Sequence, residues 1–405
     1  MRSVAVLCWL AVCGILGTVD ALKCKDASGK DVSWWTALKA PKGYIYGYIE
    51  AKQRQDGFQY NSDLDISGIS ESHLAETLQQ LYSGSNIGYV IWNDQPETKS
   101  KVRPKTLHAH AKGVLAFDAD GGFYLLHSTP NFPDDPAAGN GYKGINNCTA
   151  SGKTCGPTHG QLQDGQSYLC VSFDPGNLDA VAEVLRGDEL TIYASDVAGL
   201  DGQYPNVQQL IKANHRGIAK KTFGQDVQAV DGEPFKLFGM SPTPKNQPVF
   251  LYEQIIEPTL GYGLLVQSFT QDGRFPTYCP GGTQPDPEYH FTVDKYSTVN
   301  VEEITINQDL SWYCAGNKQQ DHSKWAVTIP DSSDAASTSR KLLQNATLAR
   351  ASEDLSKVFC MADINRAGSQ AVRGGGALCF TSNPGVWQAF YNTVTQEEKC
   401  DKSAQ

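Results

Sequence analysis

The sequence predicts a mixed α/β (α+β) fold containing two similar half-sites, and three observations carry that prediction. Strand-like apolar runs alternate with helical patterns along the chain, the signature of a sheet covered by helices. The tripeptide His-x-Lys occurs twice, as His110-Ala111-Lys112 and His322-Ser323-Lys324, about 210 residues apart. Each copy leads to a strand-like stretch, acidic or amide residues, a glycine run and a return strand, as expected for two half-sites meeting at a pseudo-two-fold axis. No short-period repeat is present, which excludes a solenoid.

The chain opens with MRSVAVLCWLAVCGILGTVDA, in which Arg2 precedes an apolar stretch and small residues end at Ala21. Residues 1–21 read as a secretory signal removed before Leu22. Its apolar core is too short to span a bilayer comfortably, and no later stretch approaches the required length, so stable membrane insertion is not expected.

Strand-like runs follow at Gly43–Glu50, Asn86–Trp92, Gly113–Phe117, Gly122–His127, Ser167–Phe173, Pro248–Glu253 and Gly263–Phe269. Helical patterns lie at Glu71–Tyr82, Asp179–Leu185 and Asn206–Lys212. Pro133–Gly160 and 331–357 read as surface insertions, the second with a helix around Arg340–Leu355. Asp201-Gly202 breaks the pattern and divides the chain into an N-terminal lobe, 22–200, and a C-terminal lobe, 201–405, each with one His-x-Lys motif. Trp34-Trp35 reads as core.

The secretory route sets the cysteine chemistry. Cys8 and Cys13 leave with the signal, and Cys24, Cys148, Cys155, Cys170, Cys279, Cys314, Cys360, Cys379 and Cys400 remain, an odd number in a disulfide-forming compartment. The spacings of a structural zinc site are absent. Asn147-Cys148-Thr149 and Asn345-Ala346-Thr347 are glycosylation sequons.

A net charge of −10 argues against holding nucleic acid by bulk charge at neutral pH. It leaves room for a local cationic groove, and for work in acid, where carboxylates protonate and histidines charge while phosphodiesters stay ionised. Lys99, Lys101, Arg103 and Lys105 run directly into His108 and His110, a basic approach suited to phosphates.

His110 and Lys112 fall on one face of a strand because strand side chains alternate. Asp118 and Asp120 sit in a Gly-Gly turn, and the return strand delivers His127. A neutral imidazole is a competent nucleophile toward phosphorus, and a protonated one can donate to the leaving oxygen. Two lysines can stabilise the phosphoryl oxygens in place of a metal ion. Phosphodiester cleavage without metal is the chemistry that two His-Lys pairs suit best.

At this point the motifs resemble a family. CKDASGKDVSWWTALKAP, YVIWNDQP, HAKGVLAFDADGGFYLLHSTPNFP, YLCVSFD, DHSKWAV and ADINR…RGGGALCF, in that order from residue 24 to about 380, resemble deoxyribonuclease II. The resemblance implies a phospholipase D-like fold, with two α/β lobes placing their His-x-Lys motifs on either side of one phosphodiester. It implies an acid endonuclease that needs no divalent metal or other cofactor, acts on DNA, and leaves 3′-phosphate and 5′-hydroxyl ends. His110, Lys112, His322 and Lys324 match its catalytic positions, and His127, Asp363 and Asn365 its supporting ones. The same resemblance suggests disulfides Cys24–Cys170, Cys279–Cys400 and Cys360–Cys379; Cys148 and Cys155 could then close a local loop, leaving Cys314 odd. The chain departs from the pattern at Ala326, where a vertebrate-like member places cysteine, and in the insertion at 331–357.

Two other classes remain open on sequence. A phospholipase D-type lipid hydrolase shares the chemistry but calls for an apolar membrane-facing segment, and none stands out. A secreted, inactive DNA-binding or toxin-like protein would normally show a broken motif, and both motifs are intact. Two motifs in one chain allow a complete monomeric site, although a homodimer could still be needed for a wide groove. A lysosome, another acidic compartment or secretion all fit.

Overall fold

A computed structural model describes residues 21–53, 55–96, 100–102, 108–146, 148, 153–156, 159–200, 202–213, 222–269, 275–280, 295–314, 320–330 and 354–399. The leader, both sequon asparagines and the proposed helix at Arg340–Leu355 fall wholly or largely outside them.

Up to residue 213 the elements are β1 (Cys24–Lys25), β2 (Asp31–Val32), β3 (Trp34–Lys39), β4 (Tyr46–Glu50), β5 (Gln59–Tyr60), α1 (His73–Ser83), β6 (Gly88–Asn93), β7 (Lys112–Phe117), β8 (Gly122–His127), β9 (Gln166–Phe173), α2 (Pro175–Leu185), β10 (Ile192–Asp196) and α3 (Pro205–Ala213). From residue 222 they are β11 (Thr222–Gln228), β12 (Pro234–Met240), α4 (Glu257–Leu260), β13 (Gly263–Gln267), β14 (Thr298–Ile306), β15 (Leu310–Tyr313), β16 (Trp325–Ile329), β17 (Phe359–Ala362), β18 (Gly375–Phe380), α5 (Pro384–Thr393) and β19 (Val394–Glu397).

One sheet runs β10-β6-β7-β8-β9-β3-β4-β5 and the other β11-β12-β18-β17-β16-β13-β14-β15, with β19 on β14. The fold is therefore mixed α/β, with more sheet than helix. Within it one plan occurs twice. An antiparallel meander β6-β7-β8-β9 is followed by α2, and an antiparallel meander β13-β16-β17-β18 is followed by α5.

The two helices start by the same chemistry. Asp174 caps α2 by accepting from Asn177 N, Asn383 caps α5 by accepting from Val386 N, and a proline follows each cap. Both residue types satisfy an otherwise orphaned helix-start N–H, and proline there loses no hydrogen bond.

The sheets share one apolar core. Trp34 and Phe173 of the first meet Phe380 and Phe235 of the second, with Trp34 edge-on to Phe380 at 4.9 Å. Trp34 and Trp35 are both fully buried. The outer face of the first sheet is covered by α1, whose Leu74, Leu78 and Leu81 share a core with Trp35 and Ile91.

One strand expectation is corrected on the outer face of the second sheet. Pro248–Glu253 is not a strand: Leu251–Ile256 forms a π-helical turn running into α4. Leu251, Ile255, Ile256 and Leu260 recur at helical spacing and bury one stripe against Met240 and Leu264. A short apolar run cannot by itself separate buried strand from buried helix.

Disulfides join Cys24 to Cys170, Cys148 to Cys155 and Cys360 to Cys379. Cys279 is also disulfide-bonded, and Cys400, its expected partner, lies outside the described residues. Cys314 is a buried thiol donating to Asp321 Oδ2 at 3.6 Å. Among the described residues no helix is long and apolar enough to cross a membrane.

Candidate active site

Antiparallel pairing places one end of each meander at the same rim. Lys112 opens β7, His127 closes β8 and Gln166 opens β9; in the second sheet Lys324 precedes β16, Asp363 follows β17 and Gly375 opens β18. The rims are tied to each other reciprocally. His110 N donates to Gly374 O at 2.9 Å, and Lys112 N to Asp363 Oδ1 at 3.4 Å. In return His322 N donates to Gly165 O at 2.9 Å, and Lys324 N to Ser167 Oγ at 3.3 Å. Each His-x-Lys backbone is thus held by the other half.

Side chains sharpen the first motif. His110 Nδ1 lies 2.8 Å from Asp94 Oδ2, and Lys112 Nζ donates to Asp94 Oδ1 at 2.5 Å. Nδ1 is also 3.1 Å from Arg373 Nη1, a donor, but the shorter contact is to the acceptor-only Asp94; with the proton on Nδ1 and shared with Asp94, Nε2 keeps its lone pair. Burial pushes the Asp94 carboxyl up, but His110, Lys112 and Arg373 together hold it well below the usual range. Burial drives His110 down to about 3; Asp94 opposes this, and the charges of Lys112 and Lys324 reinforce it.

The second motif is built differently. Asn93 stands opposite Lys112 in the first sheet, and Gln267 opposite Trp325 in the second. Continuing both registers, Asp94 falls opposite Ala111 and Phe269 opposite Ser323, the middle residues of the two motifs. Where His110 meets the Asp94 carboxylate, His322 meets the Phe269 ring, with centroids 3.9 Å apart. Its nearest carboxylate is Asp164, whose Oδ2 is 3.5 Å from Nε2. Burial, then Lys324, Lys112, His110 and Lys39, push His322 down to about 3.

Lys324 Nζ donates to His322 O at 2.9 Å, and burial followed by the charge of Lys112 pushes it down to about 7. Asp363 is pushed up to about 7 by burial. His127 is buried, and neither ring nitrogen has a hydrogen-bond partner among the described residues. Its ring lies between Phe132 and Tyr168, and burial, with the charge of Lys112, pushes it down to about 3. Asn365 is buried, and its Oδ1 has no hydrogen-bond partner among the described residues.

The basic approach is only partly within the described residues: Lys101 is exposed, while Lys99, Arg103 and Lys105 fall outside. The glycine run has a packing reason. A Cβ at Gly374 would lie 1.9 Å from Asp188 O, and one at Gly376 1.9 Å from Phe238 O.

Sequence reasoning assigned no role to Asp94, Phe269, Arg373, Asp164 or Lys39. Asp94 and Arg373 stand inside the quoted stretches YVIWNDQP and RGGGALCF. Lys39, at the end of β3, is buried, gives its amine to the carbonyls of Ala40, Gly43 and Leu162, and is pushed down to about 7 by burial.

Among the described residues no group of three or more His, Cys, Asp or Glu side chains is placed to hold a metal ion. Asp94, a buried carboxylate of the site, has its oxygens engaged by three basic groups. What the arrangement offers an anion is two imidazoles, two lysine amines and a shared, largely dry rim.

Comparison with known proteins gives the family of the chain. The family model described as Deoxyribonuclease II matches residues 23–400. Plancitoxin-1 of Acanthaster planci is 26% identical over 402 residues, covering 95% of this chain and 94% of its own. Deoxyribonuclease-2-alpha of Mus musculus is 28% identical over 396 residues, 94% of each chain. Deoxyribonuclease-2 of Caenorhabditis elegans is 25% identical over 454 residues, 99% of each. With a family match that spans nearly its whole length and includes both His-x-Lys motifs, the chain belongs to the deoxyribonuclease II family.

Proposed function

We propose that the protein is a metal-independent acid endodeoxyribonuclease with a phospholipase D-like, two-lobed site that cleaves DNA to 3′-phosphate and 5′-hydroxyl ends. The observation that carries this reading is the reciprocal hold of the two His-x-Lys motifs on one rim, with one histidine fixed by a carboxylate.

His110 Nε2 attacks phosphorus, forming a P–N bond as the P–O5′ bond breaks. His322, protonated when the phosphodiester anion joins its cationic neighbours, gives its proton to the departing 5′ oxygen. Water then attacks phosphorus with His322 taking its proton, the P–N bond breaks, and His110 leaves as neutral imidazole with the 3′-phosphate released. Lys112 and Lys324 stabilise the equatorial oxygens, whose charge they meet in a dry site where such interactions are strong. The signal sequence and the acid chemistry together point to a lysosome-like compartment or an acidic secreted setting.

The test is plasmid digestion by the mature protein at pH 5 with excess EDTA, beside His322→Ala. Cleavage by the unaltered protein alone, with 3′-phosphate ends, is the expected result. No cleavage by either would overturn the reading, and a phosphodiester lipid panel would then examine the lipid-hydrolase alternative.

A further inference from the structure

Arg373 belongs to the segment between β17 and β18, yet its side-chain hydrogen bonds all reach into the other half. Nε donates to His108 O at 2.9 Å and Nη2 to Ala109 O at 2.9 Å and to Asp94 Oδ2 at 3.1 Å. Nη1 lies 3.1 Å from His110 Nδ1. The next residue, Gly374, accepts from His110 N. One side chain and one carbonyl from the second half therefore grip residues 108–110 and the carboxylate that orients His110.

The grip meets a chemical difficulty. A carboxylate on Nδ1 fixes the useful tautomer, but it also raises the affinity of the ring for a second proton. A nucleophile that works in acid must not take that proton. The oxygen that holds His110, Asp94 Oδ2, is the one bonded by Arg373, while Lys112 takes Oδ1. The charged and titratable groups facing His110 are Asp94 beyond β6, Lys112 on β7, His322 and Lys324 before β16, and Asp363 and Arg373 after β17. Of these only Asp94 is a permanently ionised acid in acidic solution.

We propose that Arg373 is a positioning residue for the nucleophile: by sharing Asp94 Oδ2 with His110, it lets the carboxylate orient the imidazole without protonating it. This rests on His110 being the attacking group. Lys112 alone would leave Oδ2 free to pull a proton onto the ring. Arg373 spends part of that oxygen's bonding capacity and sets a fixed positive charge beside Nδ1.

The test uses a nucleoside 3′-(4-nitrophenyl phosphate), whose leaving group needs no proton, so the acid limb of kcat/KM reports the nucleophile. Profiles from pH 3.5 to 7 are measured for the unaltered protein, Arg373→Gln, Arg373→Lys, Asp94→Asn/Arg373→Gln and His110→Ala. Arg373→Gln should move the acid limb up by about one unit, from about 3 to about 4, a deficit of about threefold at pH 3.5 beyond any uniform loss, which shrinks to about 1.1-fold by pH 5. Asp94→Asn/Arg373→Gln should bring the limb back down at a reduced plateau. Arg373→Lys, which keeps charge and loses the fork, should hold the limb while kcat falls.

A uniform loss at every pH in Arg373→Gln would mean a purely structural role and overturn the proposal. Should that variant fail to fold, the limb of Arg373→Lys decides: unmoved supports the proposal, moved upward overturns it. Full activity in His110→Ala would instead sink the underlying reading of His110.

Discussion

Raising the pH should disable the site at two groups together, and Asp363→Asn separates them. Lys324 is pushed down to about 7 and Asp363 up to about 7, each chiefly by burial. Below pH 7 the lysine is charged and the carboxyl neutral, the state an incoming phosphate favours. Through pH 7 the lysine discharges while the carboxyl ionises beside Lys112 and Lys324, so the rim loses two units of positive charge. With both values near 7, the competent fraction is about 0.98 at pH 5 and about 0.06 at pH 7.5, a fall of roughly 15- to 20-fold. At higher pH these two groups together contribute a slope approaching −2 to the log rate, beside whatever the His322 proton contributes in every variant. Asparagine is close in shape, accepts from Lys112 N and never ionises, so Asp363→Asn should fall one unit of slope less steeply. At pH 8.5 this leaves it about 30-fold better than the unaltered protein when each is normalised to its own pH 5 rate. The assay is initial-rate cleavage of a short duplex at constant ionic strength. A slope in Asp363→Asn as steep as that of the unaltered protein would refute the assignment of the second titration to Asp363.

Asp94→Asn should lower kcat at pH 5 by about 10²–10⁴-fold, the range for a carboxylate that fixes a catalytic imidazole; a loss under threefold would remove Asp94 from the mechanism. The same variant strips the buried Lys112 of its counter-charge and should cost about 3–5 kcal/mol in denaturant melts. Leu22 is 5% exposed and its backbone N donates to Asp118 Oδ2 at 2.8 Å, so cleavage after Ala21 would turn that bond into an ion pair. Asp118→Asn in the mature protein should then cost about 1.5–3 kcal/mol in denaturant melts, whereas an N-terminus sequenced elsewhere would contradict this.

Much of the first sheet was legible because its strands are apolar runs bounded by turn residues: Gly122–His127 is a strand to the residue, and α1, α2 and α3 lie within a few residues of their patterns. The second sheet was harder. Thr298–Ile306 carries two glutamates in its middle, and the run around Phe250 curls into a helix because its apolar residues form a stripe. A repeat signal was present and went unused. Cys170-x-x-x-Asp174-Pro175-Gly176 and Cys379-x-x-x-Asn383-Pro384-Gly385 mark the same strand end, cap and helix start in both meanders. The two His-Lys pairs stand out as tripeptides, and Asp363 within its motif, but Asp94 and Arg373, which hold the first pair, do not. Arg373 meets Asp94 across 279 residues of chain, and no local pattern encodes such a contact.

The negative charge of the chain is reconciled with an anionic substrate by where the acids stand. β7 runs from Lys112 to Phe117 and β8 returns from Gly122 to His127, so the turn holding Asp118 and Asp120 lies a strand length, about 20 Å, from the rim. Asp174, just past the end of β9, stands at that same far end. The rim instead gathers Lys112, Lys324 and Arg373 around Asp94, with Lys39, Asp164 and Asp321 on the His322 side. Two Debye lengths of physiological salt separate the ends, so the far acids hardly weaken the attraction of the rim for phosphate. What decides that attraction is local: one lysine and one carboxyl, both displaced to about 7 by the dry environment that makes the chemistry effective. On the proposed mechanism, burial thus strengthens the hold of the rim on phosphate in acid and removes its charge near neutrality, with the net charge of the chain playing little part.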